Sequence, residues 1–173
     1  KAALPSFNLY RSPVMKSPLA LLLAVALSSP LAALAAADAH DHGQAATHKL
    51  ELNAGKKWGT DDALRKAMSG IQASVTQTLP AAHAGKASAA DYDAFGKDVT
   101  AQVTYMVENC KLDPQADAQL HIIVADLMAG VEAAQGKHGE KKRASGVVKV
   151  AQAANAYGKH FDHAGWKAIQ MPH

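Results

Sequence analysis

The chain has 173 residues, enough for one ordinary domain and too few for two. Its Ala-rich composition, with 5% aromatic residues, favours helix over strand. The net charge of +3 belongs to the N-terminal stretch: Lys1, Arg11 and Lys16 lie in the first 35 residues, where there is no Asp or Glu, and 18 basic residues less these three leaves 15 against 15 acidic. A neutral remainder has no long-range field for nucleic acid or an anionic membrane, and the basic run Lys137 to Arg143 reads as a solvated loop and helix start.

Residues 15–35 read MKSPLALLLAVALSSPLAALA. Lys16 gives a positive start, Leu19 to Leu27 an uncharged apolar run, and Ala33-Leu34-Ala35 a small-x-small cleavage site, the pattern of a secretory signal peptide. The run is shorter than the ~20 residues that a spanning helix needs. No second apolar segment follows, so no membrane span is expected once the signal is removed. Residues 1–14 read as an upstream extension of the frame or a long positive region. The expected location is the periplasm of a Gram-negative bacterium. Cys110 is the only cysteine, so it has no intrachain disulfide partner.

Residues 36–59 are expected to be a flexible tail and lead-in. The tail carries His40, His42 and His48, which bind Cu(II) or Zn(II) only loosely if at all, and Leu50-Glu51-Leu52 suggests an extended stretch laid against the domain. The bundle is expected over 60–166. The first helix opens at Thr60-Asp61-Asp62, carries Leu64, Met68, Ile71, Val75 and Leu79, and stops at Pro80. The second starts at Ser88, with Asp91 three residues on, and carries Tyr92, Phe95, Val99, Val103, Met106 and Cys110. The third is announced by Asp113-Pro114, carries Leu120, Ile123, Val124, Leu127 and Val131, and frays at Gly136. The fourth starts within Glu140 to Ser145, carries Val147, Val150, Ala154, Tyr157 and Phe161, and ends near Gly165. Residues 167–173 form a tail. Four amphipathic helices with short connections predict an all-α, antiparallel, up-down-up-down four-helix bundle.

That topology makes neighbours of the start of helix one, the end of helix two, the start of helix three and the end of helix four. Met68, Met106, Cys110, His121, His160 and His163 then gather at one rim, flanked by Trp58 and Trp166. Thioether, thiolate and imidazole suit copper, above all Cu(I), and haem iron. Each residue has a plainer reading: the Met residues fill a core, Cys110 is a small hydrophobe, and His121 pairs with Asp117 one turn back. His160 and His163 favour a helix C-terminus, and the Trp residues plug the bundle. Gly158, inside the fourth helix, leaves room for a ring or a cofactor, close packing against Trp58 or Trp166 being the simpler option.

The stretches Lys56-Lys57-Trp58 … Met68, Glu108-Asn109-Cys110-Lys111-Leu112 … Gln119-Leu120-His121 and Asn155-Ala156-Tyr157-Gly158 … Phe161-Asp162-His163 … Gly165-Trp166 resemble a little-characterised family of secreted proteobacterial proteins, some labelled DnrO-like. The resemblance implies a periplasmic helical bundle and little chemistry. The architecture is also similar to the soluble periplasmic b-type cytochrome, which implies haem b held by Met68 and a histidine late in the fourth helix. Gly158 stands where that histidine would be; the nearest candidate, His160, is turned by about 200° on the helix. There is no C-x-x-C-H for covalent haem and no Glu-x-x-His pair for a di-iron centre. The expected function is a binding protein, not an enzyme, with copper at the rim. The alternatives are a haem-binding electron carrier using Met68 and His160, and a non-metal bundle that binds a partner protein or forms a homodimer.

Overall fold

A computed structural model describes residues 49–172. The expected signal peptide, residues 1–14 and His40, His42 and His48 lie outside the described residues. Among the described residues the chain is all-helical, in the order α1 (Asp62–His83), α2 (Ala89–Asn109), α3 (Pro114–Ala134), a 3-10 turn (Glu140–Lys142) and α4 (Arg143–His160). No helix there is long and apolar enough to cross a membrane.

Local chemistry sets the helix starts. Asp61 caps α1 by accepting from the Leu64 amide at 2.7 Å. Ser88 and Asp91 form a reciprocal capping box at α2: the Ser88 hydroxyl accepts from the Asp91 amide at 3.2 Å and the Asp91 carboxylate from the Ser88 amide at 2.8 Å. Asp113 caps α3 through the Gln115 and Ala116 amides, with Pro114 in the first turn, where its missing N–H costs nothing.

Two helix ends differ from expectation. Pro80 does not stop α1, which continues to His83. Proline removes one amide donor, and in a last turn already anchored by buried Leu79 and Ala82 that loss is small. α4 stops at His160, before Gly165, because Phe161 leaves the helix to form a bridge with Trp58. The Trp58 amide donates to His160 O and the Asp162 amide to Trp58 O, both at 2.8 Å.

The apolar stripes meet in one core, where Leu64, Met68 and Ile71 of α1 join Phe95 and Met106 of α2, Ile123 and Leu127 of α3, and Val150 and Tyr157 of α4. Each helix packs on the next and α4 packs on α1, while α2 and α4 barely touch. The closest pair is α3 and α4, where a side chain on Gly146 would strike the Gly130 carbonyl and the Ala134 backbone.

Residues 162–172 are no free tail. The chain turns at Gly165 (φ 79°) and runs back over α4 and α1 as a strap. Trp166 lies on Gly158. The Asn155 side chain brackets Ile169, donating to its carbonyl at 2.9 Å and accepting from its amide at 2.7 Å. Gln72 donates to Lys167 O at 2.5 Å, and Ile169 is buried.

Candidate functional site

α2 ends at Asn109 and α3 starts at Pro114, so the two helices part from a tight corner centred on Lys111 and Leu112. Beside that corner Met106, Val107 and Cys110 face Asp117, Leu120, His121 and Val124 across a cleft of about 250 Å³. Asp117 and His121, four apart, share a face of α3, and Cys110, the cap residue just past α2, follows Met106 by one turn with its amide bonded to Met106 O. Met106 is buried, Cys110 half-buried, and the His121 side chain 71% exposed. His121 Nδ1 lies 2.9 Å from Asp117 O and 3.4 Å from an Asp117 carboxylate oxygen. A proton on Nδ1 satisfies the carbonyl and leaves the Nε2 lone pair free. The expected helix-surface pair is therefore present, and it is compatible with ligation, since a backbone bond at one ring nitrogen commonly orients the other toward a metal.

Cys110 is not an activated thiol. Burial, the charge of Asp61, its hydrogen bond to Asp61 and the charge of Asp117 push it up to about 12. It stays protonated beside the Asp61 carboxylate. Asp61 Oδ1 accepts from the Leu64 amide at 2.7 Å and Oδ2 from the Lys111 amide at 2.6 Å. Burial pushes the Asp61 carboxyl up, but those two amide bonds, the Cys110 bond and the Arg65 charge outweigh it, and the group sits below its ordinary value. Sequence reasoning identified Asp61 as a helix cap. Its second task, holding the α2–α3 corner onto α1, leaves no trace in spacing because Lys111 is 50 positions away.

The end of α4 is built on aromatic rings. Tyr157 stacks on Phe161 (centroids 5.2 Å apart), meets His163 edge-on at 5.8 Å and meets Trp166 edge-on at 5.0 Å. Burial raises the Tyr157 hydroxyl well above its ordinary value, so it keeps its proton. Burial, then the charge of Arg65, lowers His163 and favours neutral imidazole. The Tyr157 hydroxyl and His163 Nδ1 share a hydrogen bond at 3.0 Å. His160 Nδ1–H donates to Ala156 O at 2.8 Å. Trp58 is buried with its indole N–H donating to Glu51 O at 2.7 Å. The Trp166 indole N–H is buried with no acceptor among the described residues, a loss of about 1–3 kcal/mol.

Of the six expected donors, three share a cleft: Met106, Cys110 and His121. Met68 is fully buried in the core, His160 flanks the Trp58–Phe161 bridge, and His163 is spent on Tyr157. No group of three or more His, Cys, Asp or Glu residues among those described is arranged to hold a metal ion; thioether sulfur is outside that count. Of the expected haem pair, Met68 is fully buried in the core and His160 has its Nδ1 committed to Ala156 O. The room left by Gly158 is filled by Trp166, the simpler of the two options that the sequence offers.

No protein family, curated protein or solved structure gives a significant match to this chain.

Proposed function

We propose that the chain is a non-enzymatic, periplasmic helical-bundle protein that binds a soft transition metal, Cu(I), between α2 and α3. Its ligands in this reading are Met106 Sδ, Cys110 Sγ and His121 Nε2. The single observation that carries it is the convergence of these three donors on one cleft. Two of the three are sulfur, a set that selects Cu(I) over harder ions. Binding displaces the Cys110 proton, so one proton leaves for each ion bound and affinity rises with pH. Periplasmic delivery rests on the signal-peptide pattern of residues 15–35.

The same reading includes an antiparallel, up-down-up-down course for the helices. It is supported by bonds that join the start of α1 to the α2–α3 corner (Asp61 with Lys111) and to the residues after α4 (Thr60 with Asp162). At the other extreme Arg143, at the start of α4, reaches Asp93 near the start of α2 at 3.0 Å and Ala134 O at the end of α3 at 3.2 Å.

Competition with a chromophoric Cu(I) chelator tests the site. One ion per chain is expected, with Cys110→Ser and His121→Ala each weakening binding by about tenfold or more, the scale of losing one good interaction. His160→Ala should leave affinity unchanged. Unaltered affinity in the Cys110→Ser, Met106→Leu double variant would overturn the assignment.

A further inference from the structure

We propose that the C-terminal strap, residues 162–172, is a latch that opens when His163 takes up a proton, uncovering the face of α1 and α4 beneath it. The inference is independent of the metal site.

His163 stands at the root of the strap and touches both sides of the joint. On the helix side its Nδ1 shares a hydrogen bond with the Tyr157 hydroxyl at 3.0 Å. On the strap side its ring lies 5.1 Å from that of Trp166, tilted by 50°. Protonation fixes a hydrogen on Nδ1, so the Tyr157 oxygen can only accept there. Tyr157 is fully buried and the hydroxyl must then turn its proton elsewhere. From α1, Arg65 already places a positive charge against His163. From α4 comes Tyr157, itself faced by Arg65, Cys110, Asp61 and Asp162. Trp166, from the strap, is uncharged. His160 on α4 has its Nδ1 committed to Ala156 O, and Lys57 donates to Gly158 O at 2.7 Å, on the residue that Trp166 covers.

The rest of the strap is held lightly. Beyond the turn at Gly165, its backbone is bonded to the helices by the side chains of Asn155 and Gln72. The Trp166 indole N–H lies buried with no acceptor among the described residues, so there the ring contributes packing. A cleft of about 320 Å³ remains between Lys167–Gln170 and Gln72, Thr76, Leu79 and Pro80 of α1, so the strap does not seal fully against that helix.

The direction follows from linkage. A histidine held below its ordinary 6.5 in the closed state favours closure fully above that value, and the advantage is lost as pH falls through the lowered one. Amide hydrogen exchange on the full chain, corrected for intrinsic rates, reads the latch directly. Between pH 7.5 and pH 5.0 the Ile169 amide, bonded to Asn155, should lose protection by at least about threefold, while Leu127 in α3 keeps its own. His163→Gln, which cannot titrate, should abolish the dependence. The midpoint for Ile169 should coincide with proton uptake by the His163 ring, followed by its NMR shifts. Constant Ile169 protection, equal losses at Ile169 and Leu127, or a midpoint unrelated to His163 would each overturn the latch. If His163→Gln does not fold, the comparison of midpoints in the unmodified chain decides.

Discussion

At the start of α1 the two carboxylate oxygens of Asp61 serve two backbone donors, the Leu64 and Lys111 amides, and the charge bears on the Cys110 thiol. One ionised side chain thus starts a helix, holds the α2–α3 corner and keeps the thiol protonated. Removing it leaves two backbone N–H groups to find other partners. Asp61→Ala should cost about 2–3 kcal/mol, above an ordinary cap because the corner is lost as well. Urea unfolding with an unchanged slope would measure it. The folded carboxyl lies below its unfolded value, so its contribution is present above about pH 4 and disappears as pH falls through the folded value. Asp61→Asn should therefore flatten the acid limb of a stability–pH profile below about pH 4. An acid limb identical to that of the unmodified protein would show that the charge of Asp61 does not support the fold.

Most of the helix starts were legible from short-range chemistry, because a cap and its partner lie within three residues: Asp61 with Leu64, Ser88 with Asp91, Asp113 with Ala116. The ends were less so. α4 stops where Phe161 finds Trp58, a contact that no local pattern encodes. The candidate site was legible to the same degree. Met106 in the last turn of α2, its cap residue Cys110 and His121 beyond the corner are close in sequence, and that nearness brought three donors together. Met68 and His160 depend on distant packing, and there the rule that helix ends gather says too little about which way a side chain turns. Small residues were the other silent signal. Gly146 lets α3 and α4 touch, and a methyl group there would meet the Gly130 carbonyl oxygen at 2.6 Å and the Ala134 backbone. Gly146→Ala gains about 1 kcal/mol of helix propensity but forces two backbones apart, and the net expected loss is about 1–3 kcal/mol. Thermal unfolding checks the sign: a rise in midpoint would mean that the helices separate freely.

Across the whole molecule the strap and the lead-in are the parts that helix periodicity could not announce. Leu50 packs on the core, the Glu51 amide donates to the Gln119 side chain at 2.7 Å, and the strap returns over α1 and α4. Ending the chain at Asp162 removes the burial of Trp166 and Ile169 and frees the backbone that carries them. Burial is worth about 1.5–3 kcal/mol for each large side chain, and the released entropy offsets much of it. The truncated chain should keep its helical circular dichroism and lose about 1–3 kcal/mol of stability in denaturant. Complete loss of helix would mean that the four helices cannot hold together without the strap.

The bond from Thr60 to Asp162 spans 102 positions, whereas each helix is joined to the next through a short connection. Closing a loop of that length is entropically slow, and nearby partners meet first. A pair of consecutive helices is thus the natural early nucleus, and the seam where α1 meets α4 the last to form. The lead-in and the strap both meet that late seam: Trp58 pairs with Phe161 just after α4, and Ile169 is held by Asn155 of α4 beside the bond from Gln72 of α1 to Lys167. Their geometry describes a molecule whose final folding step and first opening step take place along the same line.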